Sequence, residues 1–420
     1  MSRIGFISTR FAGSDGVSLE SDKWSRVLRA EGHEVFWFAG ELDRPRETSM
    51  LVPEAHFTHE DAMRISDAVW GRLSRDKVIN QLVKSSAEFL KGKLYTFVEK
   101  FGIEILVVQN AVTIPMHIAL GLAITDFIAE TGMPTIAHHH DFYWERTRFL
   151  VSAVRDYLEA AFPPVLPQIQ HAVINSAARD ELAWRKGVSS LVVPNVIDFE
   201  NPPVIAPGSS DNVRDLVGLG TDDILILQPT RVVPRKGIEH AIAVVSRLRD
   251  PRCKLVISHE SGDEGDTYLG ALLETAKSSD VDLRLVHTVL TDVTNGIPQP
   301  APAGRVSLWE LYAAADLVTY PSLYEGFGNA LLEAFYYSVP VLINRYSIFV
   351  QDIEPKGFRT ISMDGFVTNE VVDHVRAVLG DRSLRDEMVE TNYRLATRYY
   401  GFGMLRRRLQ TLLINVTGVD

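Results

Sequence analysis

The sequence predicts an α/β protein built on two parallel sheets, and three observations carry that expectation: a length of 420 residues, short β-rich runs that alternate with longer amphipathic segments, and one break in the alternation near mid-chain. A chain of this length exceeds one ordinary core, and two domains of about 200 residues can each bury a full one. Hydrophobic residues make up 46% and charged residues 23%, which is globular composition and excludes a disordered or fibrous chain.

The first series of β-rich runs lies at residues 4–8, 34–38, 104–108, 135–138 and 172–175. Between the first two, residues 21–31 carry Trp24, Val27 and Leu28 at helical spacing and stop at Gly32, which gives a strand-loop-helix-strand unit. Over residues 194–220 the pattern lapses into Pro, Asn, Asp, Gly and Ser, including Asn201-Pro-Pro and Pro207-Gly-Ser-Ser, so the domain boundary is placed there. A second series follows at 224–228, 254–258, 283–287, 317–320 and 340–343, and residues 370–418 are helical by pattern. The Arg406-Arg-Arg408 run reads as a solvated helix face. Open sheets of this kind bind ligands outside the carboxyl ends of their strands, so chemistry is expected on the loops after strands, and two such domains in tandem are expected to form a cleft.

Charge and cysteine content narrow the function class. Lys plus Arg is 43 against 54 for Asp plus Glu, and the net charge of −11 opposes general binding to nucleic acid or anionic lipid. Anion binding must then come from local basic groups. The single cysteine, Cys253, rules out an intrachain disulfide framework, fits a reducing compartment, and is expected to be structural within a strand. The N-terminal apolar run is too short for a signal peptide, and residues 103–124 are interrupted by Gln109, Asn110, Pro115 and His117, so no membrane span is expected and a cytoplasmic location follows.

Four segments after predicted strands carry chemistry. Arg10-Phe-Ala-Gly-Ser-Asp-Gly-Val-Ser-Leu-Glu20 is a glycine-bearing loop entering a helix, suited to a close backbone approach to an anion but lacking the G-x-G-x-x-G of a dinucleotide site. Pro134-Thr-Ile-Ala-His-His-His-Asp-Phe-Tyr-Trp-Glu-Arg-Thr-Arg148 holds three adjacent histidines. Successive strand side chains point to opposite faces, so these do not share a ligand plane and no metal is expected. Asp280-Val-Asp282 likewise lacks a supporting cluster. Gln228-Pro-Thr-Arg-Val-Val-Pro-Arg-Lys-Gly237 places Arg231 and Lys236 beside a helix start, where two cations suit a diphosphate. Tyr320-Pro-Ser-Leu-Tyr-Glu-Gly-Phe-Gly-Asn-Ala-Leu-Leu-Glu-Ala334 takes a strand through a glycine-rich turn into a helix. If that helix starts near Gly328, Asn329 and Glu333 share a face, and a carboxylate flanked by Leu332 and Ala334 calls for a partner such as ribose hydroxyls.

The E-x7-E arrangement of Glu325 and Glu333, with the Arg and Lys pair about 90 residues earlier, resembles the retaining glycosyltransferases of family 4. The resemblance extends in order over nearly the whole chain, with Gly13 to Glu20 similar to that family's N-terminal phosphate loop and Val192-Val-Pro-Asn-Val-Ile-Asp198 similar to its interdomain signature. It implies the GT-B fold, two Rossmann-like domains facing each other across a cleft: an acceptor domain at 1–200, a nucleotide-sugar domain at 201–395, and a helix at 396–420 packing back on the first. It further implies that Glu325 with Gly326, Phe327, Gly328 and Asn329 meets the donor sugar, that Glu333 takes the ribose, and that Arg231 and Lys236 hold the diphosphate. Gly13 and Gly16 would add phosphate contacts, and His140, in the family's common His-Asp pair with Asp141, would lie near the reacting sugar. The implied catalytic set is His140, Arg231, Lys236 and Glu325.

Three features depart from the family pattern: Asp15 stands where a glycine often precedes Gly16, Val196 replaces a glycine after Asn195, and residues 291–305 look like an insertion. The function expected is retaining, metal-independent transfer of a hexose from a nucleotide diphosphate sugar, with no cofactor. With no second carboxylate evident as nucleophile, the family-based route is front-face, the leaving phosphate helping to deprotonate the acceptor. Arg10, Lys23, Trp24, His138, Tyr143 and Arg146 are the candidate acceptor contacts. Their polarity and local positive charge favour a small anionic acceptor, a glycerate derivative or sugar phosphate. A homo-oligomer stays open, as do a nucleotide-sugar epimerase and a non-catalytic sugar-nucleotide binding protein on the same fold.

Overall fold

Ile105-Leu-Val-Val-Gln109 is buried at all five positions, the mark of a central strand in a parallel sheet covered on both faces. The computed structural model describes residues 1–13, 15–202, 209–260, 266–290, 301 and 304–418. The chain forms two units, Met1–Pro194 with Leu405–Asp420, and Asn195–Met404. Residues 203–208 of the linker and most of the 291–305 insertion lie outside the described residues.

The first unit runs β1 (Arg3–Ile7), α1 (Gly16–Ala30), β2 (Glu34–Ala39), β3 (Ser49–Leu51), α2 (Glu60–Val69), α3 (Lys77–Phe101), β4 (Ile105–Gln109), α4 (Ile118–Thr131), β5 (Thr135–His139), α5 (Arg155–Ala161), β6 (Ile169–Val173), α6 (Ser176–Lys186) and β7 (Ser190–Val192). Its seven strands are parallel in the order β3-β2-β1-β4-β5-β6-β7. The order reverses between β1 and β4, so a crevice opens at the carboxyl ends of those two strands. Helices α3 and α4 cover one face, where Leu90, Leu94, Phe97, Ile124 and Phe127 form a continuous core with Leu106 and Val108. Helix α1 begins well before the predicted residue 21, because the Asp15 carboxylate caps it by accepting from Val17 N at 3.1 Å and Ser18 N at 3.2 Å.

The second unit runs α7 (Ser209–Leu216), β8 (Ile224–Gln228), α8 (Ile238–Leu248), β9 (Cys253–Ile257), α9 (Asp266–Ser278), β10 (Asp282–Leu285), α10 (Leu308–Ala314), β11 (Leu317–Tyr320), α11 (Asn329–Tyr336), β12 (Val341–Asn344), β13 (Ile361–Met363), α12 (Asn369–Gly380), α13 (Arg382–Tyr400) and the start of α14 (Phe402–Thr417). Its six strands are parallel in the order β10-β9-β8-β11-β12-β13, with the reversal between β8 and β11. Cys253 opens β9 in the core, and burial pushes its thiol up to about 11, which suits a structural cysteine. In α14, Arg406 pairs with Glu31 at 2.9 Å while Arg407 and Arg408 face solvent. Among the described residues no helix is long and apolar enough to cross a membrane.

Gly40 closes β2 where the segment after β3 comes back against it. A Cβ at this position would lie 2.1 Å from the His56 backbone nitrogen, and backbone cannot step aside as a flexible side chain can. Gly92, exposed inside α3, has nothing within 4 Å of the same point. Gly40→Ala is expected to destabilise the protein by about 1–3 kcal/mol, and Gly92→Ala to stabilise it by about 0.5–1 kcal/mol through helix propensity. Denaturant melts of both variants check this, and equal effects would contradict the assigned packing.

Candidate functional site

Each unit gathers its chemistry at its own strand-order reversal. In the second unit the loop after β8 turns through a 3₁₀ segment, Pro234–Lys236, and ends at Gly237 in the left-handed region, φ +59°. A side chain at Gly237 would meet Pro321 O at 2.5 Å, so glycine lets this loop lie directly against the one after β11. Leu323 N donates to Arg235 O at 2.8 Å and seals the two together.

Glu325 sits at this junction with only 10% of its side chain exposed. Lys236 Nζ donates to its Oε1, and Arg235 NH1 lies 3.1 Å from its Oε2. Burial alone would raise the carboxyl, but the ammonium and guanidinium outweigh it and hold it below the ordinary range. Lys236, equally buried, is lowered by burial against the opposing pull of Glu325. The resemblance pairs Lys236 with Arg231; the structure pairs it with Arg235 on Glu325. Arg231 is exposed and makes no ion pair among the described residues, yet its charge and that of Lys236 add to the burial that lowers His259.

The glycine turn is fixed from beneath. Gly328 caps α11 at φ +116°, and a Cβ there would meet Tyr346 Oη at 2.4 Å; that hydroxyl donates to Phe327 O at 2.7 Å. The Phe327 ring is buried against Tyr400, so this residue offers a ligand only its backbone. Helix α11 starts at Asn329, whose Oδ1 accepts from Asn195 Nδ2 at 2.7 Å. One turn on, half-buried Glu333 accepts from Tyr312 Oη at 2.7 Å, so the partner its apolar setting demands includes a protein phenol.

In the first unit a cavity of about 190 Å³ opens at the reversal between β1 and β4, lined among others by Thr9, Arg10, Asp15, Phe57, Asn110 and Arg146. Arg10 pairs with Asp15 at 3.2 Å. Arg146 Nε donates to Asp141 Oδ2 at 2.5 Å. Gly13 N donates to Asp43 Oδ2 at 2.9 Å and Asp15 caps α1, so the donors expected to meet a phosphate at Gly13 and beside Gly16 already face carboxylates.

The three histidines divide as the strand period requires. His138 is 1% exposed and stacks on the equally buried Trp24, centroids 4.3 Å apart, so neither side chain reaches the cavity; both support it from within. His139 points the other way into a buried chain, 2.6 Å from Thr113 Oγ1 and 2.9 Å from His171. His140 Nε2–H and His138 Nδ1–H both donate to Gln109 Oε1, at 3.3 and 2.9 Å. Burial lowers His140 to about 4, so it is neutral near pH 7. Lys23 is held by buried Glu20 at 2.5 Å, and Tyr143 packs edge-on against Trp144 rather than lining the cavity. Of the expected acceptor contacts, only Arg10 and Arg146 therefore line it. Gln109 and Asn110, which organise the histidine turn, enter the sequence reading only as interruptions of an apolar run; their place directly after a central strand is the signal that marks them.

Comparison with known proteins places this geometry in context. Residues 302–395 match the family model described as glycosyl transferases group 1. The mannosylglucosylglycerate synthase of Petrotoga mobilis is 31% identical, the alignment covering 86% of each chain, and that of Thermotoga maritima is 30% identical over 96% of this chain and 97% of its own. A solved glycosyltransferase structure from Rickettsia africae superposes with a TM-score of 0.70 at 11% identity, covering 100% of this chain and 99% of that one. The two Rossmann-like units have the GT-B fold.

His117, His138, His139 and His171 are each no more than 3% exposed, and burial lowers all four, His117 and His171 to about 4. The unfolded chain, with imidazoles near 6.5, binds protons that the folded one refuses. Stability is then full above about pH 6.5 and lost as pH falls toward 4, each imidazole contributing up to about 1.4 kcal/mol per pH unit. Urea midpoints should drop steeply between pH 7 and pH 5; a flat profile would show that these rings accept protons in the folded state.

Proposed function

The chain belongs to the group 1 glycosyltransferases, and from that premise we propose that it moves a hexose, with retention and without a metal ion, from a nucleotide diphosphate sugar to a small anionic acceptor of the glycerate type. The observation that carries the donor half is the charge at the second reversal: the loops after β8 and β11 bring Arg235 and Lys236 onto the single carboxylate of Glu325, and exposed Arg231 adds a third cation on the loop after β8. That surplus suits a diphosphate, whose negative charge grows as the anomeric bond breaks. Preorganised donors at such a position contribute about 3 kcal/mol each. Positive charge supplied by side chains is what supports the metal-free reading.

Glu325 fits this scheme first as the anchor of Lys236 and Arg235, and Glu333, beside Tyr312, as the acceptor of ribose hydroxyl protons. In the front-face route the bond from the anomeric carbon to the leaving phosphate breaks as the acceptor oxygen bonds on the same face. The acceptor proton passes to the leaving phosphate. His140, neutral near pH 7, suits a hydrogen bond to a sugar hydroxyl rather than a fixed cation.

The acceptor half rests on the cavity arginines and on the relatives' name, which describes a glycerate carrying two hexoses. Kinship with synthases over most of their length favours transfer over epimerisation or mere binding. The lone buried Cys253 accords with a cytoplasmic enzyme.

The test is incubation with a panel of nucleoside diphosphate hexoses and, as acceptors, glycerate, glucosylglycerate and neutral glycerol, in the presence of chelator. The expected result is a glycerate glycoside by mass spectrometry, with the donor's anomeric configuration by NMR. An inverted product, or turnover restored by one divalent ion alone, would sink the retaining or metal-free assignment. Transfer to neutral acceptors only would sink the acceptor class.

A further inference from the structure

Asn110 directly follows β4 at the first reversal and is one of few non-glycine residues with positive φ, +60°. Asparagine tolerates this region better than most residues, but the conformation still has a cost and persists only where neighbours enforce it. Here every polar group of the residue is engaged. Its N–H donates to His138 O at 3.0 Å, its C=O accepts from Thr113 N at 3.2 Å, its Oδ1 accepts from His140 N at 3.1 Å, and its Nδ2 donates to Asp141 Oδ1 at 3.3 Å. The amide orientation is fixed by its partners, since a backbone N–H needs the oxygen and a carboxylate needs the NH₂.

The consequence reaches the cavity through Asp141. Its Oδ1 is taken by Asn110 and its Oδ2 by the Nε and NH2 groups of Arg146. The guanidinium is thus gripped along one edge while its NH1 group keeps its donors, and Asn110 and Arg146 both line the cavity. Arg10, held by Asp15, lines it as well.

Resting on the acceptor reading above, we infer that Asn110 is a positioning residue that fixes the Asp141–Arg146 pair so that Arg146 receives the carboxylate of the acceptor. Its role is in discriminating an anionic from a neutral acceptor, exerted through Asp141.

Asn110→Gly keeps the positive φ without strain and removes only the side chain. Glycerate and glycerol are titrated by ligand-observed NMR into the wild type and the variant, and acceptor and donor KM are measured in the transfer assay. The expected result is wild-type binding of glycerate over glycerol, and in Asn110→Gly a loss of about 10- to 100-fold in glycerate affinity with a matching rise in acceptor KM, donor KM being unchanged. Asn110→Asp, similar in shape but opposing Asp141 with a second carboxylate, should show the same loss and serves if the glycine variant does not fold. Unchanged glycerate affinity in a folded variant, or no preference for glycerate in the wild type, overturns the inference even if transfer is observed. Loss of glycerate binding in Asn110→Gly supports it even if the transfer assay fails, in which case the functional reading falls alone.

Discussion

The second unit depends on one electrostatic constraint: a carboxylate that is almost out of water must be met by cations, and Lys236 and Arg235 meet Glu325. Desolvating such a charge costs several kcal/mol, and removing one partner of a buried ion pair costs about 3–5 kcal/mol. The demand is satisfied only if the loops after β8 and β11 lie in contact. Gly237 against Pro321, Leu323 N on Arg235 O and Asn344 Nδ2 on Ser322 O are the short-range features that permit it. The ion cluster therefore stiffens the place where the sheet order reverses, before any substrate arrives.

The first unit solves the same topological problem with different chemistry. At its reversal a strained Asn110 and a buried Gln109 hold a turn of histidines, and two arginines are each restrained by an aspartate. Four buried imidazoles support this region or lie close behind it, and all remain neutral at pH 7 because charging them would leave a cation without solvent. Rigidity here comes from hydrogen-bonded neutral rings. In the second unit it comes from opposed charges.

The central strands were legible because parallel strands buried on both faces read as apolar runs, and two of them, β8 and β11, fall on the predicted residues. Strands β3, β7 and β13 were not, since three residues at a sheet edge carry no period to detect. Charge at the second reversal was visible as Arg231 and Lys236, but the partner that joins Lys236 on Glu325 is its neighbour Arg235, and only a 3₁₀ turn brings adjacent residues onto one carboxylate. Trp24 and His138 looked like ligand contacts because polar and aromatic residues after strands often are; alternation along β5 instead sends His138 inward. Asp15, a departure from the glycine pattern, proves to be a helix cap, a role local sequence does signal.

The claim on which the account turns is that the loops after β8 and β11, with α11, receive the nucleoside diphosphate portion of the donor. Calorimetric titration of nucleoside diphosphates into the wild type, Glu333→Ala and Lys236→Ala tests it most directly. With the preferred nucleotide, loss of the charged partner of the ribose hydroxyls should weaken binding to Glu333→Ala by about 10- to 150-fold, and Lys236→Ala, which removes a cation from the diphosphate, should weaken it as well. A folded Glu333→Ala that binds the nucleotide as tightly as the wild type would contradict the account and move the donor to another part of the molecule.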